Sequence, residues 1–204
     1  HRLVPSKSKI RLLLDVGCGI GVFLEEAKKQ KWTVFGVEIS ENARKQAEKR
    51  INQLVFEKIE DLPVEQKFDG ISLFHVLEHL PDPVDTLKVL HERAQPGAAL
   101  VLALPNPKSW DAEHYGVHWA AWDVPIHFWH FTKEDVNRLA TKTGWQLESI
   151  RPMQLDAYYV GLLSESFQHG SKRWIAATWK GFWSNIRGGR ENTSSLMYVL
   201  RKPS

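Results

Sequence analysis

The sequence predicts an open α/β fold, a mostly parallel sheet with helices on both faces. Three observations carry this. Short apolar runs alternate with helix-compatible segments from Ile10 to Met153. The first repeat, Ile10 to Ser40, reads strand, glycine turn, helix, strand, acid. The run Ala98 to Leu104 is apolar at every position, as a strand covered on both faces requires. At 204 residues the chain has room for one such domain with a full core. The expected organisation is one domain over 1–204, with a core over 10–153 and an aromatic insertion over 105–131. A helical insertion over 155–187 then precedes a last strand over 195–202.

The first unit sets the chemistry. Ile10 to Val16 is the strand, Val22 to Gln30 the helix, and Trp32 to Val37 the second strand, ending at Glu38. Gly17, Gly19 and Gly21 between them remove side chains, so a ligand can approach the backbone and the chain can take positive φ. Glu38 stands about 20 residues beyond the turn, where a carboxylate can accept both hydroxyls of a ribose. The spacing is G-x-G-x-G. A dinucleotide fingerprint would want Gly or Ala at position 22, which is Val22. Asp15, just before the turn, tightens it and can accept a hydrogen bond from a cationic ligand group.

Leu14-Asp15-Val16-Gly17-Cys18-Gly19-Ile20-Gly21, with Glu38 after the second strand, resembles motif I and the acidic loop of class I S-adenosylmethionine-dependent methyltransferases. The resemblance implies that family's Rossmann-like fold, a seven-stranded, mostly parallel sheet with one antiparallel strand. It implies S-adenosyl-L-methionine as cofactor and S-adenosylhomocysteine as product. It also implies cofactor contacts from Asp15, Gly17, Cys18, Gly19, Glu38 and Ile39. Cys18, set among glycines, reads as small-residue packing rather than thiol chemistry.

The remaining elements follow in order. Ser40 caps a helix to about Arg50, and Leu54 to Ile59 reads as a third strand. Glu60 and Asp61 close it, where the resemblance implies an acid at the adenine amino group. Phe68 to Phe74 is the fourth strand, leading into His75-Val76-Leu77-Glu78-His79-Leu80. That segment is similar to the family's FD strand followed by LEH, which implies Phe74 and His75 beside the sulfonium; Glu78 and His79 can instead fix the loop by hydrogen bonds, the reading favoured for His79. Asp82 and Pro83 start a helix that stops near Gln95-Pro96-Gly97, and Ala98 to Leu104 is the fifth strand.

Trp110 to Phe131 breaks the rhythm with aromatics and histidines on the ligand side of the expected sheet. It reads as a substrate gate. Asp123-Val124-Pro125-Ile126-His127, then Phe131-Thr132, is similar to one methyltransferase subgroup, of the ubiquinone-biosynthesis kind. If the acceptor is a hydroxyl, a base near neutral pKa speeds its transfer, and histidine suits that role. His127 is the first candidate as base or acceptor-orienting residue, and His130 the second; a hydrogen-bonded core histidine is the other reading of His127. Trp119, Trp122, Phe128 and Trp129 line an apolar or planar acceptor pocket, or seal the sheet end, or both. His114 and His118 are four apart and with Asp111 have metal-ligand spacing. They lack a further anchored ligand, and no metal is expected.

Thr132 and Asp135 cap a helix through Lys142, Trp145 to Met153 is a sixth strand, and Leu155 to Gln168 is helical. Ser171 to Arg187 is another helix, with Ile175, Trp179, Phe182 and Ile186 on one stripe flanked by Lys172, Arg173, Lys180 and Arg187. That is the make-up of a helix for a peripheral membrane surface or a lipid-linked substrate; packing on the domain or a partner is the alternative. Ser195 to Leu200 is the last strand.

Composition bounds the rest. A net charge of +3, with no strongly basic face and no N-P-P-Y-like tetrad, argues against nucleic acid. No run reaches the length of a membrane span, no signal peptide is visible, and the single Cys18 fits a reducing cytoplasm. His1 in place of Met points to a trimmed chain. The expected function is methyl transfer to a small or lipid-linked acceptor, at oxygen. The alternatives are a non-catalytic binding or assembly subunit of the same fold, and a nicotinamide oxidoreductase, which Val22 and the LEH segment disfavour. The acceptor's identity and the oligomeric state are not legible.

Overall fold

In a computed structural model, which describes residues 10–171, 174–189 and 192–204, six strands form one sheet in the order β2-β1-β3-β4-β6-β5. They are β1 (Arg11–Val16), β2 (Trp32–Val37), β3 (Phe68–Phe74), β4 (Ala94–Pro105), β5 (Gln146–Met153) and β6 (Ser195–Arg201). β1 pairs in parallel with β2 and β3, and β3 with β4. β6 is the expected antiparallel strand, opposed to both β4 and β5. The strand order reverses between β1 and β3, so a crevice opens at their C-terminal ends, where such sheets take ligands.

The sheet has six strands rather than the expected seven, because Leu54 to Ile59 forms only one bridge, Val37 with Phe56. Its β-favouring residues lack a ladder for a local reason. Just after Phe56 the chain turns into a 3-10 segment, Ile59–Asp61, and Asp61 takes the Lys58 N–H at 3.1 Å. β4 also begins four residues before the expected Ala98; the expected turn lies inside it, with Gly97 at φ +77°.

Period-2 alternation divides the core. Leu13 of β1 joins Val34, Leu24, Ala47 and Ile51 under helices α1 (Val22–Lys29) and α2 (Glu41–Ile51). Leu14 and Val16 face the other way, into a larger cluster with Leu73, Leu87, Leu102, Val136 and Trp145. That cluster lies under α3 (Pro83–Arg93) and α5 (Lys133–Lys142). Each such leucine, fully buried, stabilises by about 1.5–3 kcal/mol. The caps follow the sequence: Ser40 Oγ accepts from Ala43 N, Asp82 from Asp85 N, and Thr132 and Asp135 cap each other's backbone N–H.

A second layer stands over the strand ends. It comprises α4 (Trp110–Tyr115), the gate, and a hairpin of α6 (Asp156–His169) and α7 (Trp174–Gly188). Its hub is Asp111, 1% exposed, which accepts from Trp119 Nε1 at 2.9 Å, Ser184 Oγ at 3.0 Å and Ser194 Oγ at 2.6 Å. One buried carboxylate therefore ties the gate, α7 and the approach to β6. Three donors are what keep such a charge tolerable away from water. Among the described residues no helix is long and apolar enough to cross a membrane.

Candidate functional site

The glycine turn closes β1 against β2. The N–H groups of Gly17 and Cys18 both donate to Val37 O, at 2.8 and 3.0 Å. Gly17, Gly19 and Gly21 all take positive φ. A Cβ on Gly17 would lie 2.3 Å from Val76 Cγ2, so the turn packs directly on the loop after β3. A Cβ on Gly19 would meet nothing within 4 Å, so the turn is open to a ligand there. Glu38 braces that opening. Its Oε2 accepts from Gly19 N and its Oε1 from Ser40 N, each at 2.8 Å, which leaves lone pairs on both oxygens for a diol. This cradle fits the ribose end of a nucleoside cofactor.

Asp15 sits beneath the turn, 3% exposed, with Ser72 Oγ donating to its Oδ1 at 2.6 Å. Burial pushes its carboxyl up to about 7, against the Ser72 hydrogen bond and with Glu38's charge adding to the rise. Burial, with Asp15 and Glu38 nearby, likewise pushes the Cys18 thiol up to about 12, so it stays protonated and packs as a small apolar group. Ile39 is exposed beside Glu38. Glu60 and Asp61 stand exposed on the 3-10 turn, with Asp61 capping that turn.

β3 delivers the next group to the same edge, since Val16 of β1 is in register with Leu73. Phe74 turns edge-on to Phe23 of α1, ring centroids 5.0 Å apart. His75 takes φ +54°, unusual for a residue with a Cβ and common at functional sites. Its Nε2 lies 3.0 Å from Asp156 Oδ2 and its Nδ1 3.3 Å from Glu78 Oε1. Burial alone would lower the His75 pKa, but the two carboxylates win and hold it up at about 9. His75 is thus an imidazolium between acids.

The gate docks on this loop through its backbone: Phe128 N and Trp129 N both donate to Glu78 O. Behind it lies a cavity of about 320 Å³. His75, Ala121, Asp123, His127 and Asp156 form one side and Tyr159, Val160, Leu163 and Phe167 of α6 the other. His127 Nδ1 donates to Ala121 O at 2.9 Å, which leaves Nε2, 4.0 Å from Asp123 Oδ2. Burial lowers the His127 pKa, so the ring is neutral near pH 7. His130 turns its Nε2 to Trp122 O at 2.9 Å and lines a separate groove with Trp129.

Of the four gate aromatics, Trp119 and Trp122 meet edge-on with ring centroids 5.1 Å apart, and none of the four lines the cavity behind the gate. Trp119 is buried and donates to Asp111, and Trp122 stands edge-on to His130, donating to Gly116 O. Phe128 is exposed, and Trp129 donates to Leu80 O. His114 stacks on Trp110 while Asp111 faces inward to Trp119. Sequence reasoning missed Asp156 and the α6 wall. Their signal was an acid opening a helix with Tyr159, Val160, Leu163 and Phe167 on one side, read there only as a helix.

Comparison with known proteins agrees with this geometry. Residues 1–150 match a family model described as a methyltransferase domain. A ubiquinone biosynthesis O-methyltransferase of Nitrosospira multiformis is 28% identical, over 68% of this chain and 64% of that protein. One of the same name from Xanthomonas axonopodis is 27% identical, over 74% and 68%. The chain thus spans just under two thirds of the first relative. Among solved structures, a SAM-dependent methyltransferase from Archaeoglobus fulgidus superposes with a TM-score of 0.63 at 20% identity, over 95% of this chain and 87% of that one. Phosphoethanolamine N-methyltransferase 2 of Haemonchus contortus, bound to phosphomonomethylethanolamine and S-adenosylhomocysteine, gives 0.67 at 17%, over 98% and 50%. The cyclase SpnF gives 0.66 at 16%, over 97% and 76%.

Proposed function

We propose, on the premise that this chain belongs to the methyltransferase domain family, that it methylates an oxygen of a small or lipid-linked acceptor using S-adenosyl-L-methionine. One observation carries the reading: the open turn at Gly19 with Glu38, and the apolar cavity walled by α6, stand at the same end of the sheet. The cofactor, when bound, supplies an electrophilic methyl group. Glu38 holds its ribose, and the Asp15 to Gly19 turn its amino-acid part. Tyr159, Val160, Leu163 and Phe167 exclude water around the acceptor's apolar body, and His127 holds the reacting hydroxyl through Nε2. Such positioning, with water excluded, lowers the barrier by several kcal/mol.

The ubiquinone O-methyltransferase names of the curated relatives support oxygen as the acceptor atom. SpnF shares the fold and is a cyclase, so cofactor binding and turnover are tested separately. Calorimetry is expected to detect S-adenosylhomocysteine and not NAD, and Glu38→Ala to weaken binding by about 1.5–3 kcal/mol, the scale of hydrogen bonds to a charged group. Tight NAD binding without a response to the sulfur nucleoside would overturn the proposal. The exposed stripe of α7, Ile175, Trp179, Phe182 and Ile186, supports contact with a lipid surface. Of its basic flank, Lys180 turns inward to Glu165, Arg187 stacks over Trp183, and Lys172 and Arg173 lie outside the described residues.

A further inference from the structure

Helix α2 holds the cofactor cradle from outside, and methyl transfer as described gives it no role. Arg44, Ala47 and Arg50 stand three residues apart, so they form one stripe along the helix. In the middle of the stripe Ala47 packs on the glycine turn: a Cβ on Gly21 would lie 3.0 Å from its Cα and Cβ. At one end Arg50 Nε donates to Ile20 O of the same turn at 2.9 Å, and its Nη1 to Glu25 Oε2 at 3.2 Å. α2 is therefore fixed to the turn at two points. At the other end stands Arg44, which reaches the acid loop instead.

Arg44 spreads its guanidinium over three acceptors there. Nη1 donates to Glu38 O at 2.7 Å and to Ile39 O at 3.2 Å, and Nη2 to Glu57 Oε2 at 3.1 Å. Consecutive carbonyls of an extended strand point to opposite edges, so one nitrogen meets both only where the chain bends back. That bend turns the Glu38 carboxylate over the opening, where its Oε2 accepts from Gly19 N at 2.8 Å. Glu57 follows the single bridge of Val37 with Phe56, so Arg44 also ties the acid loop to a segment that forms no ladder. The Arg44 side chain is 17% exposed, which shields its bond to Glu38 O from competing water.

We propose that Arg44 is a positioning residue for the cofactor. By bending residues 38–40 against a helix fixed to the glycine turn, it sets Glu38 for both ribose hydroxyls and gives the site its preference for a ribose diol. This deepens the cofactor reading above and rests on it. Arg44 itself touches no ligand; it acts through Glu38. Losing it therefore affects only ligands that carry the hydroxyls, and has no further effect once Glu38 is gone. Lysine is a poor replacement, because one ammonium cannot span Glu38 O, Ile39 O and Glu57 as a planar fork does.

The test is calorimetric titration of the full chain with S-adenosylhomocysteine and with its 2′,3′-dideoxyribose analogue, with melting temperatures taken on the same samples. Arg44→Gln is expected to weaken S-adenosylhomocysteine at least about 10-fold, the scale of one hydrogen bond to a charged group, and to leave the analogue within about 2-fold. Introduced into Glu38→Ala, the same change should cost no more than about 2-fold further, since residues that act through one another do not add. Lys45→Gln removes the same charge from the next position of α2, where it pairs only with Glu41, and should bind both ligands as wild type does. If Arg44→Gln fails to fold, Arg44→Lys carries the same comparison. No loss in the Arg44 variant, equal losses for the two ligands, an undiminished loss in the Glu38→Ala background, or the same loss in Lys45→Gln overturns the proposal while the cofactor reading stands. Wild-type protein that binds neither ligand overturns the cofactor reading and this proposal with it.

Discussion

Asp15→Asn is expected to stabilise the protein at pH 8, to stabilise it by less than half as much at pH 5, and to weaken cofactor binding. The carboxyl is 3% exposed, and burial, opposed by the Ser72 hydrogen bond and helped by the Glu38 charge, carries its pKa from 3.8 to about 7. In this interval the folded protein keeps a proton that the unfolded chain has released. Stability therefore falls as pH rises between the two values, and the loss is complete above about 7. A rise of about 3 units at 1.36 kcal/mol each puts the penalty at up to about 4 kcal/mol. Asparagine has the same shape, keeps an oxygen for Ser72 Oγ–H and cannot ionise. At about 2–4 °C per kcal/mol for a chain of this size, the melting temperature at pH 8 should rise by up to about 16 °C.

The assay is thermal melting by circular dichroism at pH 5 and pH 8 without cofactor, followed by calorimetric titration with S-adenosylhomocysteine. The carboxylate that burdens the fold above pH 7 is the group proposed to meet the ligand's cationic end. A substitution that raises the melting temperature and lowers affinity would be the mark of a residue kept for function against stability. Destabilisation at pH 8, or the same shift at both pH values, would refute the reasoning.

Three other outcomes are expected. Gly17→Ala should lower the melting temperature, since φ is +71° and its Cβ would lie 2.3 Å from Val76 Cγ2, an overlap costing about 1–3 kcal/mol; Gly19→Ala, with open space around it, should melt closer to wild type yet lose S-adenosylhomocysteine affinity. The stability supplied by His75 with Asp156 and Glu78 is fully present below about pH 6.5 and lost as pH rises through about 9, so His75→Gln should melt lower than wild type at pH 6 and converge with it in alkali. For α7, flotation with anionic liposomes at low salt is expected, and Trp179→Glu should abolish it; wild-type protein that stays at the bottom of the gradient would leave the stripe as a packing surface.

How much of this was legible in the sequence depends on the range over which each feature is determined. The cofactor cradle is local: Asp15, Gly17, Gly19 and Glu38 belong to one strand-turn-helix-strand unit, and the Glu38 bonds to Gly19 and Ser40 span 19 and 2 residues. Residue type and spacing carry such a unit whole. The third strand failed on a local competition, in which Asp61 turned the chain before a ladder could form. The gate failed for the opposite reason. Trp119 was expected either to line the acceptor pocket or to seal the sheet end, but Asp111 draws it inward, and Asp111 is held by Ser184 and Ser194, 73 and 83 residues away. No periodicity records partners at that distance. Glu78 and His79 show the same limit: next to each other in sequence, they read as site residues or as residues that fix the loop, the latter favoured for His79. What the fold adds is the His75 ring, 3.3 Å from Glu78, and also His127, which another element sets edge-on to His79 with ring centroids 4.6 Å apart. Contacts of that kind are a property of the assembled fold alone, and no spacing in the sequence names them.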